Sequence, residues 1–288
     1  MKPAVFEYRR PATVADALAD LARADGARVL AGGQSLVPLL NLRLATPPVV
    51  VDINRVEGLD EIVERDGRVH LGATVRQAAA LTSDLVRTAL PLVVLALTRV
   101  AHPQVRARGT VVGNLCHHDP ASEMPAVAVA LDAEFTVAAP DGSLSIVPAA
   151  DFFLESFAVA VPPGGLVTGV SFPVAAAGTG AGFYEITRKA KDFALIAAAV
   201  QLTVTGGAVT TARVAVSGLT HQPVRMAAVE AALTGGPATP DAVRDAARLA
   251  RADVLAEVNT RSPADYRSRV LPVVVARACR AAASEVAP

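Results

Sequence analysis

The glycine pair Gly32-Gly33 lies between a predicted strand and a predicted helix, and this arrangement most constrains how the N-terminal part of the chain can fold. Glycine permits backbone conformations that other residues avoid, so we expect a sharp strand-to-helix bend here. The predicted elements run helix, strand, glycine pair, helix and strand: Val14 to about Ala24, Arg28 to Ala31, Gly32-Gly33, about Ser35 to Leu42, and Val49 to Val51. The all-apolar strand at the end of this series is typical of a buried sheet in an α/β unit.

The middle of the chain is predicted to form a second unit of strands and helices. Its elements are a strand at Arg68 to Gly72, a helix capped by Thr74 that runs through Leu81, a buried helix at Pro91 to Val100, a hairpin of Glu134 to Ala138 with Leu144 to Val147, and a strand at Leu166 to Phe172. Within this unit, Ala101 to Pro125 is rich in Gly, His, Pro and Asn and lacks periodicity. Irregular segments of this length are uncommon unless they bind something.

A run of small residues, Ala175 to Gly182, is the candidate linker to a C-terminal domain. Beyond it, the predicted elements are a hairpin of Leu195 to Thr205 with Val209 to Ser217, and helices at about Arg225 to Leu233, Pro240 to Ala252 and Pro263 to Ala287. The pattern predicts helices packed on a small antiparallel sheet.

The composition excludes several classes of protein. Hydrophobic residues make up 52% of the chain and charged residues 19%, which is sufficient for the buried cores of two domains. The 27 basic and 27 acidic residues cancel, which argues against nucleic-acid binding. The 2 cysteines are too few to hold an iron–sulfur cluster alone. The N-terminus lacks a signal-peptide pattern and no apolar segment approaches the ~20 residues of a membrane span, so we expect a cytoplasmic protein with at most peripheral membrane association.

The first candidate site is the segment Leu30-Ala31-Gly32-Gly33-Gln34-Ser35-Leu36. Backbone N–H groups at the bend, the start of the following helix and the Ser35 hydroxyl together could bind a phosphate. A tight turn without a ligand explains the same residues equally well. The segment lacks the lysine of a P-loop and the glycine spacing of the dinucleotide-binding fingerprint.

Three further segments carry polar or glycine residues, and each has an ordinary explanation. Arg108 to Leu115, with Gly109 and Gly113, is by itself more typical of a loop. The run Cys116 to Asp119 lacks the second ligand pair of a zinc site, and we predict no metal. The segment Arg188 to Phe193 surrounds an acid and an aromatic residue with cations, and its spacing is more typical of a solvated surface turn. We predict no catalytic acid, base or nucleophile.

Taken together, separated segments along essentially the whole chain resemble one family, the FAD-binding medium subunit of the xanthine dehydrogenase and aerobic carbon monoxide dehydrogenase group of molybdenum hydroxylases. The segments that carry the resemblance are, in order, Met1-Lys2-Pro3 to Tyr8, Arg10-Pro11, Ala31 to Leu36, Val51 to Asn54, Leu59, Leu71 to Ala73, His102 to Arg106, Gly109 to Leu115, Asp119 to Pro125, Leu166 to Pro173, Phe183 to Glu185, Arg188, Asp192 to Leu195, Gly218, Pro223 to Arg225, and Glu230. Their joint order is specific, although no single motif decides the matter.

The resemblance implies an α+β fold. Two α/β subdomains, at about residues 1–54 and 55–176, would form a PCMH-type, vanillyl-alcohol-oxidase-like FAD-binding domain. A C-terminal α+β domain of the CO dehydrogenase flavoprotein type would occupy residues 177–288.

The resemblance also implies which residues bind FAD. Leu30, Ala31, Gly32, Gly33, Gln34, Ser35 and Leu36 would hold the pyrophosphate from one side. Thr110, Gly113 and Asn114 would hold it from the other, with Ser122 and Glu123 near the ribose or adenine. Leu166, Lys189 and Phe193 would lie nearer the isoalloxazine ring, and Ala101 is also expected to contact the cofactor.

The implied function is electron transfer from [2Fe–2S] clusters through FAD to an external acceptor. A large molybdopterin subunit and a small [2Fe–2S] subunit are the expected partners, arranged as a dimer of heterotrimers. Carbon monoxide, purines, nicotine-like heterocycles and aldehydes are all open as substrates, and quinone, NAD and oxygen as acceptors. One departure leaves a flavin-free interaction subunit open as an alternative, because Val112 stands where the family usually has glycine, but the intact first motif favours retained FAD binding. A stand-alone FAD oxidoreductase is the other alternative.

Overall fold

The N-terminal unit is a small parallel sheet with two short helices. The structure, a computed structural model, describes residues 1–251 and 262–286. The unit consists of β1 (Glu7–Arg9), α1 (Val14–Leu21), β2 (Arg28–Leu30), α2 (Leu36–Asn41) and β3 (Val49–Asp52). Its strands follow the order β1-β3-β2, with β3 buried in the centre. The hydroxyl of Thr13 accepts a hydrogen bond from the Asp16 N–H and caps α1, which confirms the predicted helix start.

The second unit is built on an antiparallel sheet of order β4-β5-β10-β6-β7. Its elements are β4 (Ile62–Arg65), β5 (Arg68–Gly72), α3 (Gln77–Thr82), α4 (Asp84–Ala89), α5 (Pro91–Arg99), α6 (Pro103–Arg108), α7 (Val111–His117), α8 (Met124–Ala130), β6 (Glu134–Ala138), β7 (Leu144–Pro148), α9 (Ala149–Phe152), β8 (Phe153–Glu155), β9 (Ala158–Val159) and β10 (Leu166–Pro173). The predicted hairpin is confirmed, and Gly142 in its turn has a φ of +84°.

Two predictions for this unit are wrong. The stretch Ala101 to Pro125 is not an irregular loop, because it contains α6, α7 and the start of α8. Helices this short present too few turns for an apolar period to be recognised, although Pro103 stands in the first turn of α6. Thr74 does not cap α3, which begins at Gln77 without a side-chain cap.

The C-terminal unit is an antiparallel sheet with helices on one face. Its elements are β11 (Thr179–Thr187), β12 (Ala194–Thr205), β13 (Ala208–Ser217), β14 (Val224–Arg225), α10 (Ala227–Leu233), α11 (Pro240–Ala247) and α12 (Ala264–Val286). The predicted linker is shorter than expected, because Thr179 to Gly182 belong to β11. The expected ends of the last two helices, Ala252 and Ala287, lie outside the described residues.

The inner strand β12 of this sheet contributes side chains to two hydrophobic cores. Ala197 and Ala199 pack into the core of the second unit, while Ile196, Ala198 and Val200 pack into the core beneath α12. A strand buried on both faces has no polar alternation, which accounts for the apolar run at this point of the sequence. Within the described ranges, no helix is long and apolar enough to cross a membrane.

Two glycines of β11 let α12 approach the sheet to backbone contact. A methyl group added at Gly182 would lie 1.9 Å from the carbonyl oxygen of Ala278, and one at Gly180 would lie 2.1 Å from that of Ala282. Both separations are far below van der Waals contact, so any side chain must displace the helix. The small residues that suggest a linker therefore serve helix packing.

We expect Gly182→Ala to lower the free energy of unfolding by about 2 to 3 kcal/mol, because overpacking forces the helix from the sheet. Urea unfolding followed by circular dichroism measures this change. Gly236→Ala is the matched control, since its added methyl would lie 3.6 Å from the nearest atom, the Leu233 carbonyl oxygen. Equal stabilities of the two variants would contradict the packing argument.

Candidate cofactor site

The bend between β2 and α2 presents unused hydrogen-bond donors. Gly33 has a φ of +73°, a conformation that favours glycine. In residues 1–251 and 262–286, the backbone N–H groups from Gly32 to Leu36 donate to no acceptor. The Ser35 hydroxyl makes no capping bond to α2 and is also available. Successive free N–H groups on a bend form a concave surface that attracts anions.

This bend packs directly on a second loop that is distant in sequence. A methyl group added at Gly32 would lie 2.5 Å from the carbonyl oxygen of Arg108 and 2.7 Å from Cα of Gly109. The same methyl group would lie 3.0 Å from the backbone nitrogen of Thr110. The two glycine-bearing segments singled out in the sequence therefore meet, and only glycine at position 32 permits the contact.

The second loop leads into α7, which Thr110 caps. The Thr110 hydroxyl accepts from the Gly113 N–H at 3.0 Å. A methyl group at Gly113 would lie 2.5 Å from that hydroxyl oxygen and 3.8 Å from Cβ of Ala31. A side chain at position 113 would therefore require the capping hydroxyl of Thr110 to shift.

A buried polar segment lies next to α7. The Ser122 hydroxyl donates to Oδ1 of Asn114 at 2.8 Å, which joins this segment to the second loop. Glu123 is only 6% exposed. Burial, reinforced by the negative charges of Glu185 and Asp119, raises the pKa of Glu123 to about 8. Residues from both loops and from this segment thus form one continuous surface.

Comparison with protein families explains this surface. A family model described as the FAD binding domain in molybdopterin dehydrogenase matches residues 4–175, and one described as the CO dehydrogenase flavoprotein C-terminal domain matches residues 181–282. The chain belongs to the FAD-binding medium subunits of the molybdenum hydroxylase family. It is therefore an oxidoreductase subunit with FAD as its cofactor, and the predicted α+β fold is confirmed. In this family the molybdenum and iron–sulfur cofactors belong to the large and small subunits.

Individual relatives agree with this membership. The carbon monoxide dehydrogenase medium chain of Afipia carboxidovorans is 36% identical over 96% of each chain. The 6-hydroxypseudooxynicotine dehydrogenase complex subunit alpha of Paenarthrobacter nicotinovorans is 37% identical over 96% of this chain and 94% of its own. The medium subunit also superposes on a solved structure of carbon monoxide dehydrogenase from Hydrogenophaga pseudoflava, with a TM-score of 0.94 and 36% identity over 100% of both chains.

The residues of this medium subunit fit the diphosphate of FAD. The free N–H groups of Gly32 to Leu36 supply donors, and the contact of Gly32 with the second loop brings further backbone nitrogen close to them. A diphosphate carries negative charge and many acceptor oxygens, which is the ligand chemistry that such an array of donors favours.

Val112 does not obstruct this surface. Its backbone is helical, in the first turn of α7, and its φ is not positive. Its side chain is buried in the hydrophobic core with 2% of its surface exposed. Because the side chain faces the core, only the backbone of this residue can reach a ligand, and its φ does not require glycine.

The turn between β11 and β12 carries Lys189 and Phe193. Lys191, in this turn, donates from Nζ to the carbonyl oxygen of Thr98 at the end of α5. Ala101, just beyond α5, has a φ of +41°, and Arg106 donates to its carbonyl oxygen at 2.9 Å. Phe193 is 49% exposed. The contact of Lys189 and Phe193 with the isoalloxazine ring stays a prediction.

Two other segments noted in the sequence add no reactive group to this polar surface. They are Leu166 and the run Cys116 to Asp119. Leu166 begins β10 opposite Ala138, and its buried side chain packs in the core, so its contact with FAD stays a prediction. Burial raises the pKa of the Cys116 thiol to about 12, which keeps it protonated and unreactive. In the described part of the chain, no group of three metal-ligating side chains converges.

Sequence reasoning missed two polar residues that link the loops. The Asn54 side chain donates to the carbonyl oxygen of Ala31 at 2.8 Å, and the Arg76 guanidinium donates to that of Arg108 at 2.8 Å. The sequence pattern includes Asn54 only as the last residue of the segment Val51 to Asn54 and does not single out Arg76. A polar residue two positions after the end of the buried strand β3 is the one available signal.

Proposed function

We propose that this medium subunit transfers electrons within a heterotrimeric molybdenum hydroxylase, from [2Fe–2S] clusters on a small subunit to an external acceptor. Bound FAD would supply the redox chemistry, accepting electrons singly and delivering them onward. The protein's own residues bind and orient the cofactor. The observation that carries the proposal is the contact between the two glycine loops, the first of which presents a row of free N–H groups.

We assign the cofactor-binding roles as follows. Residues 30–36 hold the diphosphate from one side, and Thr110, Gly113 and Asn114 hold it from the other. Ser122 and Glu123 lie toward the ribose or adenine, because Ser122 is bonded to Asn114. Leu166, Lys189 and Phe193 lie toward the isoalloxazine ring, and Ala101 also contacts the cofactor. No side chain of this chain acts as acid or base, since the substrate is hydroxylated on the large subunit.

The substrate is set by the large subunit in this proposal. Relatives of similar identity are named for carbon monoxide, caffeine and glyceraldehyde dehydrogenases, at 36%, 33% and 33% identity. Medium subunits that differ no more than this from the present chain serve chemically unrelated substrates. The dimer of heterotrimers, the cytoplasmic location and the domain boundary near residue 176 stay predictions.

Expression of the chain alone and together with a large and a small subunit tests the proposal. We expect the chain to purify with bound flavin, to co-purify with both partners, and to show bleaching of its flavin absorbance when mixed with a chemically reduced small subunit. Substrate turnover by the chain alone would instead identify a stand-alone oxidoreductase. Purification without flavin, and failure of added FAD to bind, would identify an interaction subunit.

A further inference from the structure

A network of side chains behind the two glycine loops begins at β3. Asp52, at the end of this strand, is 7% exposed. Its Oδ1 accepts from the backbone N–H of Asn54 at 2.9 Å and from Nδ2 of Asn54 at 2.5 Å, while its Oδ2 accepts from the Tyr8 hydroxyl. Burial alone would raise the pKa of Asp52, but the hydrogen bonds from Tyr8 and Asn54 and the charge of Arg10 lower it below the ordinary value. Asp52 therefore stays a carboxylate and fixes the orientation of the Asn54 amide.

The oriented amide joins the two loops through Arg76. Nδ2 of Asn54 donates to the carbonyl oxygen of Ala31 in the first loop. Oδ1 of Asn54 accepts from Nη2 of Arg76 at 2.5 Å, and Nη1 of Arg76 donates at 2.8 Å to the carbonyl oxygen of Arg108 in the second loop. One continuous chain of hydrogen bonds thus runs from Ala31 to Arg108. It joins the same two loops that meet at Gly32.

Asn54 and Arg76 have the hydrogen-bonding groups needed to bridge two carbonyl oxygens. Asn54 uses the donor and the acceptor of its amide at the same time, which an aspartate could not do. Arg76 uses two nitrogens of a planar guanidinium for two acceptors in different directions, whereas the single ammonium group of a lysine is a point charge without this fork. Both residues are bonded to main-chain carbonyls of the loops, so their loss would act on the loop positions themselves.

We propose that Asn54 and Arg76 are positioning residues that set the separation of the two glycine loops and thereby the affinity for FAD. Neither residue needs to touch the cofactor. Asp52 and Tyr8 support them by holding the Asn54 amide. This inference rests on the proposed function, because it requires that FAD bind between these loops.

The test measures FAD affinity and apoprotein stability in parallel. The full-length wild type, Asn54→Ala, Arg76→Lys and the double variant are stripped of flavin and titrated with FAD, whose fluorescence reports binding. We expect each single substitution to weaken binding about tenfold, the equivalent of one lost hydrogen bond to a charged or well-ordered group. The double variant should bind no more than about threefold more weakly than the poorer single variant, because both residues act through one link.

Arg68→Lys is the matched control. Arg68 is also a partly buried arginine that bonds main-chain and side-chain oxygens, Ser171 Oγ at 2.9 Å and the Asp132 carbonyl oxygen at 3.0 Å, but it does not touch either loop. We expect it to lower apoprotein stability as much as Arg76→Lys while leaving FAD affinity within twofold of wild type. At saturating FAD, the visible circular dichroism of the bound flavin should keep its wild-type shape in every variant, because the surroundings of the ring are unchanged.

The possible outcomes separate the two proposals. If the wild type binds FAD and both single variants bind it within twofold as tightly, the positioning role is wrong and the proposed function stands. An equal loss of affinity in Arg68→Lys would likewise overturn the positioning role in favour of general destabilisation. If the wild type itself binds no FAD, the proposed function fails and this inference fails with it.

Discussion

Replacing Gly32 by alanine is expected to lower the affinity for FAD about 100-fold or more and to yield a colourless protein. The added methyl group would lie 2.5 Å from the Arg108 carbonyl oxygen and 2.7 Å from Cα of Gly109, so the two loops must separate. Main-chain atoms on both sides leave no flexible side chain that could yield. A 100-fold loss corresponds to about 2.7 kcal/mol, within the range for overpacking of a tight contact. Absorbance of the purified protein and FAD titration of the apoprotein measure the effect.

One control and one further variant define what this result would mean. Gly236→Ala introduces the same methyl group where the nearest atom is 3.6 Å away, and it should purify with wild-type flavin content. Gly33→Val tests the other glycine, since a β-branched residue is strained at a φ of +73°. Circular dichroism of both loop variants should show an intact C-terminal sheet. A Gly32→Ala protein that purifies yellow with full FAD content would refute the assignment of the site to these loops.

The elements predicted best were those whose signals are local. Both hairpins followed from glycines in their turns, and Gly142, Gly206 and Gly207 all take positive φ in the structure. The buried strand β3 followed from its apolar run, and α1 from the capping threonine. Each of these signals depends on residues that are neighbours in sequence, so no knowledge of tertiary contacts was needed.

The errors arose where distant contacts decide the local structure. In the sequence, Gly180 and Gly182 suggest a flexible linker. In the structure, α12 near the C-terminus packs on them. The helices between Ala101 and Pro125 are held by caps and by packing, because each is too short to be stable through its own periodicity.

In the candidate site, too, local features could be predicted from the sequence and contacts between distant segments could not. The residues of each loop could be chosen from the sequence, with their roles taken from a resemblance to known flavoprotein subunits. That the loops touch at Gly32, and that Val112 faces the core, follow only from the fold. The link from Asn54 through Arg76 to Arg108 joins segments of the chain that nothing in the sequence places together.

Glu123→Gln is expected to stabilise the apoprotein by several kcal/mol at alkaline pH while leaving its stability at pH 5 nearly unchanged. Burial raises the pKa of this carboxyl from 4.5 to about 8. Between these two pH values the unfolded chain is ionised while the folded protein keeps the proton, so the unfolded state binds fewer protons and stability falls as pH rises. Each pKa unit corresponds to about 1.4 kcal/mol, so the full loss above pH 8 is on the order of 5 kcal/mol.

The glutamine resembles the protonated acid and cannot ionise, so the variant should lose this part of the pH dependence. Urea unfolding of wild type and variant at intervals from pH 5 to pH 9 measures this pH dependence, with the exposed Glu64→Gln as control.

The wild type and Glu123→Gln also test the place of Glu123 in the site. If ribose hydroxyls donate to the carboxylate, FAD binding stabilises its ionised form, and the wild type should bind FAD more tightly as pH rises from 6 to 9 while Glu123→Gln does not. Parallel stability curves for wild type and Glu123→Gln would contradict the raised pKa of Glu123, and FAD affinities with the same pH dependence in both proteins would contradict its proposed contact with the cofactor.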